Sequence, residues 1–70
     1  MKKRELTKRE KETLTYIALG YTNQEIGEKL YITVHTVKQN ISSAMNKLNA
    51  KNRTNLVVQA IKNKLIDFEV

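Results

Sequence analysis

Seventy residues, thirteen lysines and arginines against seven acids, and no cysteine or proline bound what this chain can be. Disulfide staples and thiolate metal sites are excluded, one histidine among seven acids offers no obvious metal cluster, and no apolar run approaches the roughly 18 residues of a membrane span. The formal charge of +6 points to a polyanionic partner, because clustered cations bind phosphates by releasing counterions.

A chain this short implies one domain, whose core alone supplies on the order of 3–5 kcal/mol. Tidy helix packing and oligomerisation are the remaining sources of stability. Two glycines and no proline favour an all-helical chain over a turn-rich β fold. The start, MKKRELTKREK, is basic but lacks the apolar segment of a signal peptide. A cytoplasmic location is expected, which the absence of cysteine fits. Residues 1–5 are expected to form a poorly ordered basic arm, 6–66 the folded domain and 67–70 a C-terminal tail.

Thr7 and Glu10 have capping-box spacing, and Leu6 before the cap can staple onto the helix. Leu14, Ile17, Ala18 and Tyr21 follow at helical spacing, and Gly20 is a natural stop. The first helix is therefore about 8–19. Thr22 and Glu25 repeat the capping spacing, and Ile26 and Leu30 form the apolar stripe of a second helix, about 23–30. Gly27 inside it points to a close approach of two helices. No Gly or Pro marks Leu30–Thr33, so that link must be tight. Thr33 caps a third helix, about 34–48, with Asn49 as a left-handed stop. Thr54 is expected to cap a fourth, about 55–64, across a connection that holds Lys51 and Arg53.

The third helix, TVHTVKQNISSAMNKL from its cap onward, has two unlike faces. Val37, Ile41, Ala44 and Leu48 share one side, flanked by Val34 and Met45. The other side holds His35, Gln39, Ser42 and Asn46, with Lys38 and Ser43 at its edges and no acid. Short hydrogen-bonding side chains of this kind suit the edge of a base pair. Short helix, tight turn and longer amphipathic helix together describe a helix-turn-helix, whose second helix enters the major groove by its N-terminal part. On these grounds Lys38, Gln39, Ser42 and His35 are candidates for base contact, while Ser43, Asn46 and Lys47 are expected to face phosphate or water. Thr36 is set near a phosphate by the motif. Tyr16, Tyr21, Tyr31 and Phe68 are scattered and read as core or rim. The fourth helix carries two adjoining stripes, Val57, Ile61 and Leu65 on one and Leu56 and Ala60 on the other, with Val58 extra. One covers the core, and the second either buries in the same core or forms a twofold interface.

LTKRE at 6–10, TNQEIGEKLYIT at 22–33, HTVKQNIS at 35–42, MNKLNAKNRT at 45–54 and AIKNKLI at 60–66 together resemble the LuxR-type (GerE-type) helix-turn-helix family. The resemblance runs in order and without a gap. It implies an all-α, four-helix DNA-binding domain of a bacterial transcription regulator. It carries base reading to Lys38, Gln39 and Ser42, and phosphate contact to Thr22, Thr36, Lys51 and Arg53, with Asn23 and Thr33. It implies a homodimer interface on the fourth helix, at Leu56, Val57, Ala60, Ile61 and Lys64. Val34 and His35 depart from an acid and a lysine frequent in the family, and Asn49 and Lys64 each replace a usual glycine. An ion pair with Glu10 or Glu25 is the structural alternative for Arg53.

The expected function is sequence-specific binding of double-stranded DNA, as a dimer on two half-sites. The competing reading is a helical protein-interaction module, an anti-regulator that pairs through the fourth helix and does not bind DNA. No nucleophile–base set is discernible, so no enzyme is expected, and neither a cofactor, a metal nor a small-molecule ligand.

Overall fold

The computed structural model describes residues 5–66; most of the basic arm, the tail 67–70 and Phe68 lie outside the described residues. Four helices make up the described part: α1 (Lys8–Ala18), α2 (Asn23–Leu30), α3 (Val34–Leu48) and α4 (Arg53–Lys62). Each begins on a side-chain cap. Thr7 and Thr22 form full capping boxes with Glu10 and Glu25, and the Thr33 hydroxyl accepts from the N–H of Thr36. The fourth cap is Asn52, not Thr54, so α4 runs 53–62 where 55–64 was expected. The reason is local: Asn52 accepts from the N–H of Asn55, and asparagine is a stronger N-cap than threonine. Arg53 is thereby the first residue of α4 and not part of a loop.

All four helices also end alike. In each, an N–H reaches back five residues to a carbonyl: Tyr21 to Tyr16, Ile32 to Gly27, Ala50 to Met45 and Leu65 to Ala60. These are the outer bonds of the Schellman motif, whose pivot residue is left-handed. The pivots are Gly20, Tyr31, Asn49 and Lys64. Asn49 bears out its expected role, and Lys64 fills a glycine's conformation with an ordinary side chain. The first motif carries its usual hydrophobic contact, with the rings of Tyr16 and Tyr21 edge to face at 5.1 Å. Tyr31 was expected in core or rim and is instead 94% exposed, because its left-handed backbone turns the side chain outward.

α1 and α3 each pack on all the other helices, whereas α2 and α4 do not pack on one another. Leu14 and Ile17 of α1, Ile26 of α2, Val37, Ile41 and Ala44 of α3, and Leu56 and Ala60 of α4 close the core, with Leu6 and Ile66 at its ends. Leu56 and Ala60 are fully buried within one chain and so cannot belong to a surface between two chains, contrary to expectation. The exposed apolar residues of α4 are Val58 and Ile61, at 51% and 40%.

Gly27 is buried where α2 meets the turn, and the expected close approach exists. Its neighbour is the turn backbone, not a second helix. A Cβ at position 27 would lie 2.7 Å from the carbonyl oxygen of Ile32. In an open helix Gly→Ala stabilises by up to about 1 kcal/mol. Here backbone must move, so Gly27→Ala is expected to destabilise by about 1–3 kcal/mol, lowering the thermal midpoint by several degrees in calorimetry. A midpoint equal to or above wild type would show that the turn yields freely.

Candidate nucleic-acid interface

The interface is built on the side of α3 turned away from the core. Val37, Ile41 and Ala44 are buried, and this orients His35, Lys38, Gln39, Ser42 and Asn46 outward, all exposed. All four expected base-reading residues, His35, Lys38, Gln39 and Ser42, therefore come together on one accessible strip. The strip itself is acid-free, and between Glu28 and Asp67 the sequence contains no acidic residue. That sequence-level signal confines the acids of the described part to α1, α2 and the residue region before them.

The expected phosphate-contacting residues lie at or near the starts of α2, α3 and α4. Thr22 and Thr33 sit at helix starts, where their hydroxyl oxygens accept from the N–H groups of Glu25 and Thr36 at 3.1 Å. The hydroxyls of Thr33 and Thr36 lie 3.1 Å apart, so one donates to the other and the second is left to donate outward. The exposed N-termini of α2 and α3 add positive helix-dipole ends. Lys51 is exposed beside the start of α4.

Arg53 does not form the ion pair that was its structural alternative. It pairs with neither Glu10 nor Glu25. Its guanidinium donates to the side-chain oxygen of Asn23 at 2.8 Å and to the carbonyl of Tyr21 at 3.2 Å. It is a strut from the first turn of α4 to the first turn of α2, two helices that otherwise do not pack together. As an exposed group with five donors, it keeps further N–H groups for an outside acceptor.

Sequence reasoning missed what Ser43 and Lys47 do. They were expected to face phosphate or water, but they face Glu10. The Ser43 hydroxyl donates to one carboxylate oxygen at 2.6 Å, and the Lys47 ammonium lies 2.9 Å and 3.2 Å from the two oxygens. The carboxylate also accepts from the N–H of Thr7 at 2.9 Å. Glu10 is only 5% exposed. Burial pushes its pKa up, but the Ser43 hydroxyl, the Thr7 N–H and the Lys47 ammonium outweigh burial and hold it below its ordinary value. The available signal was the capping glutamate itself, since a carboxylate drawn inward by its cap needs further partners.

Among the described residues, no group of three His, Cys, Asp or Glu could hold a metal ion, and no helix is long and apolar enough to cross a membrane.

A model of the luxR family of bacterial regulatory proteins, GerE, matches residues 4–60. The chain is 51% identical over 63 residues to the oxygen regulatory protein NreC of Staphylococcus carnosus (strain TM300), covering 90% of this chain and 29% of that protein. It is 50% identical over 62 residues to the transcriptional regulatory protein LiaR of Bacillus subtilis (strain 168), covering 89% and 29%. NreC of Staphylococcus haemolyticus (strain JCSC1435) is 48% identical over 63 residues. The chain thus spans less than a third of the length of these relatives.

The lowered pKa of Glu10 fixes the sign of a pH dependence. Its proton binds more readily in the unfolded chain, so its contribution is complete above the ordinary value of 4.5 and is lost as pH falls through the lower folded value. The thermal midpoint is expected to fall as pH drops below about 4.5. In Glu10→Gln that fall should be shallower, and midpoints against pH for the two proteins provide the check; parallel curves would count against this role for Glu10.

Proposed function

The chain belongs to the luxR family of bacterial regulatory proteins, and from that premise we propose that it is a sequence-specific double-stranded DNA-binding transcription regulator. In this reading α3 enters the major groove by its N-terminal part, as the second helix of a helix-turn-helix does. One observation carries it: His35, Lys38, Gln39 and Ser42 are all exposed along one acid-free edge of α3, whose opposite edge is locked in the core. The names of the relatives, transcriptional and oxygen regulatory proteins, support the same class of function.

Each side chain has a matching acceptor or donor on a base. Lys38 donates to guanine O6 and N7, and Gln39 pairs bidentately with adenine N6 and N7. Ser42 bonds a base edge or a phosphate, and His35 lies where α3 enters the groove. Thr22, Asn23, Thr33, Thr36, Lys51 and Arg53 hold the backbone. Their hydroxyls, amide, ammonium and guanidinium contribute affinity and register but not sequence.

Dimerisation belongs to the same proposal. Val57, Val58 and Ile61 of α4, with Lys64 just beyond its end, form the twofold contact, and the core residues Leu56 and Ala60 support it from behind. A patch of this size is weak alone. Two copies held on half-sites about 34–36 Å apart assemble through the DNA.

The test begins with selection of bound sequences from random duplexes, which should yield a palindromic site. Replacing Lys38 and Gln39 with Ala is expected to reduce preference for that site over random DNA by about 1–3 kcal/mol for each contact, read by titration. Equal losses on both DNAs would defeat the base-reading assignment. Lys51→Ala should weaken every sequence alike and reduce the salt slope by about one. Negligible DNA affinity at physiological salt, with a persistent heterodimer, would favour the interaction-module reading instead.

For the dimer, Ile61→Asp should leave helix content and half-site affinity intact and abolish cooperative occupation of the full palindrome. Unchanged cooperativity in gel-shift titration would remove α4 from the interface.

A further inference from the structure

The buried carboxylate of Glu10 touches nothing on the exposed strip, yet it bonds the same helix. Its partners Ser43 and Lys47 stand one helical turn apart on α3, on an edge that is neither the core edge nor the reading edge. Two directional bonds along one line, both made to one carboxylate, fix the rotation of a helix about its axis. The apolar contacts of Val37, Ile41 and Ala44 do not do this as tightly, because hydrophobic burial is non-directional.

Rotation matters because of lever length. Side-chain ends lie about 5–6 Å from a helix axis, so a turn of about 20° moves them about 2 Å. A hydrogen bond to a base edge does not survive that shift. Ser42 is adjacent to Ser43, and Lys38 and Gln39 lie one turn earlier.

Resting on the reading that α3 lies in the major groove, we infer that Glu10 is a positioning residue for base reading. Its carboxylate sets the rotation of α3, and so the sequence discrimination of Lys38, Gln39 and Ser42, without contact to DNA. Lys47 is held in this role by its ion pair at 2.9 Å, and its charge is matched within the protein.

Glu10 also caps α1, and substitutions can separate the two roles. Glu10→Gln keeps an oxygen for the N–H of Thr7, as glutamine serves in capping boxes. It puts an NH2 group where the second oxygen now accepts from Ser43, and it removes the charge that holds Lys47. Ser43→Ala deletes one bond of the clamp and leaves the cap untouched. Thr7→Ala removes the cap hydroxyl and leaves the clamp.

The experiment measures dissociation constants for the selected palindrome and for random duplex, at a temperature where every variant is folded. The specificity ratio is expected to fall about tenfold in Glu10→Gln and Ser43→Ala, while random-duplex affinity and its salt slope stay at wild-type values. Thr7→Ala should lower the thermal midpoint and keep the ratio. Wild-type ratios in both clamp variants would overturn the inference, and so would a ratio that tracks the thermal midpoint across all three. A wild-type protein with no preference for any duplex would instead overturn the DNA-reading assignment, and the clamp's role with it.

Discussion

The contact that the rest of this domain depends on is the approach of the Ile32 carbonyl to the bare Cα of Gly27. It lets the chain leave α2, turn through left-handed Tyr31 and enter α3 within three residues. That short path fixes the angle between the two helices. With the angle set, Ile26 of α2 and Val37 of α3 share the core. A side chain at position 27 would press on the turn backbone and open that angle. The glycine is therefore a geometric requirement of the turn between α2 and α3.

α3 is best understood as a rod with three working edges. One edge is apolar and buried. A second bonds to α1 through Glu10, and the third carries the exposed polar strip. The apolar edge holds the helix in the domain, and the Glu10 edge fixes which way the strip faces. Arg53 adds a comparable link on the other side, tying the start of α4 to the start of α2.

Much of this was legible in the sequence because the signals were local. Thr7–Glu10 and Thr22–Glu25 marked two helix starts, Thr33 and Asn49 marked the limits of α3, and its apolar spacing gave the exposed strip. The misreadings have physical causes. Thr54 looked like a cap because threonine often is one, but Asn52 had the better geometry. Tyr31 was read as core or rim because its left-handed backbone leaves no mark in composition. Leu56 and Ala60 could not be assigned between core and interface, since two adjoining stripes on one helix differ only in what covers them. Ser43 and Lys47 were misassigned because their partner lies 33 and 37 residues away. Helix periodicity gives the direction of a side chain but not what waits there.

The corners of the chain have a further consequence. Three of its four left-handed pivots, Tyr31, Asn49 and Lys64, are not glycine, at φ of 59°, 55° and 58°. An ordinary side chain in this conformation costs roughly 1–2 kcal/mol, somewhat less for asparagine. A small domain has a total stability of only about 5 kcal/mol or a little more, and most changes to it are unfavourable. The corners are therefore a reserve, since glycine at any of them would offset a destabilising change elsewhere. A descendant that exchanged residues on the outer strip of α3 could recover its stability at a turn. The capacity of such a domain to diverge is in this sense held in its bends, away from the exposed strip of α3.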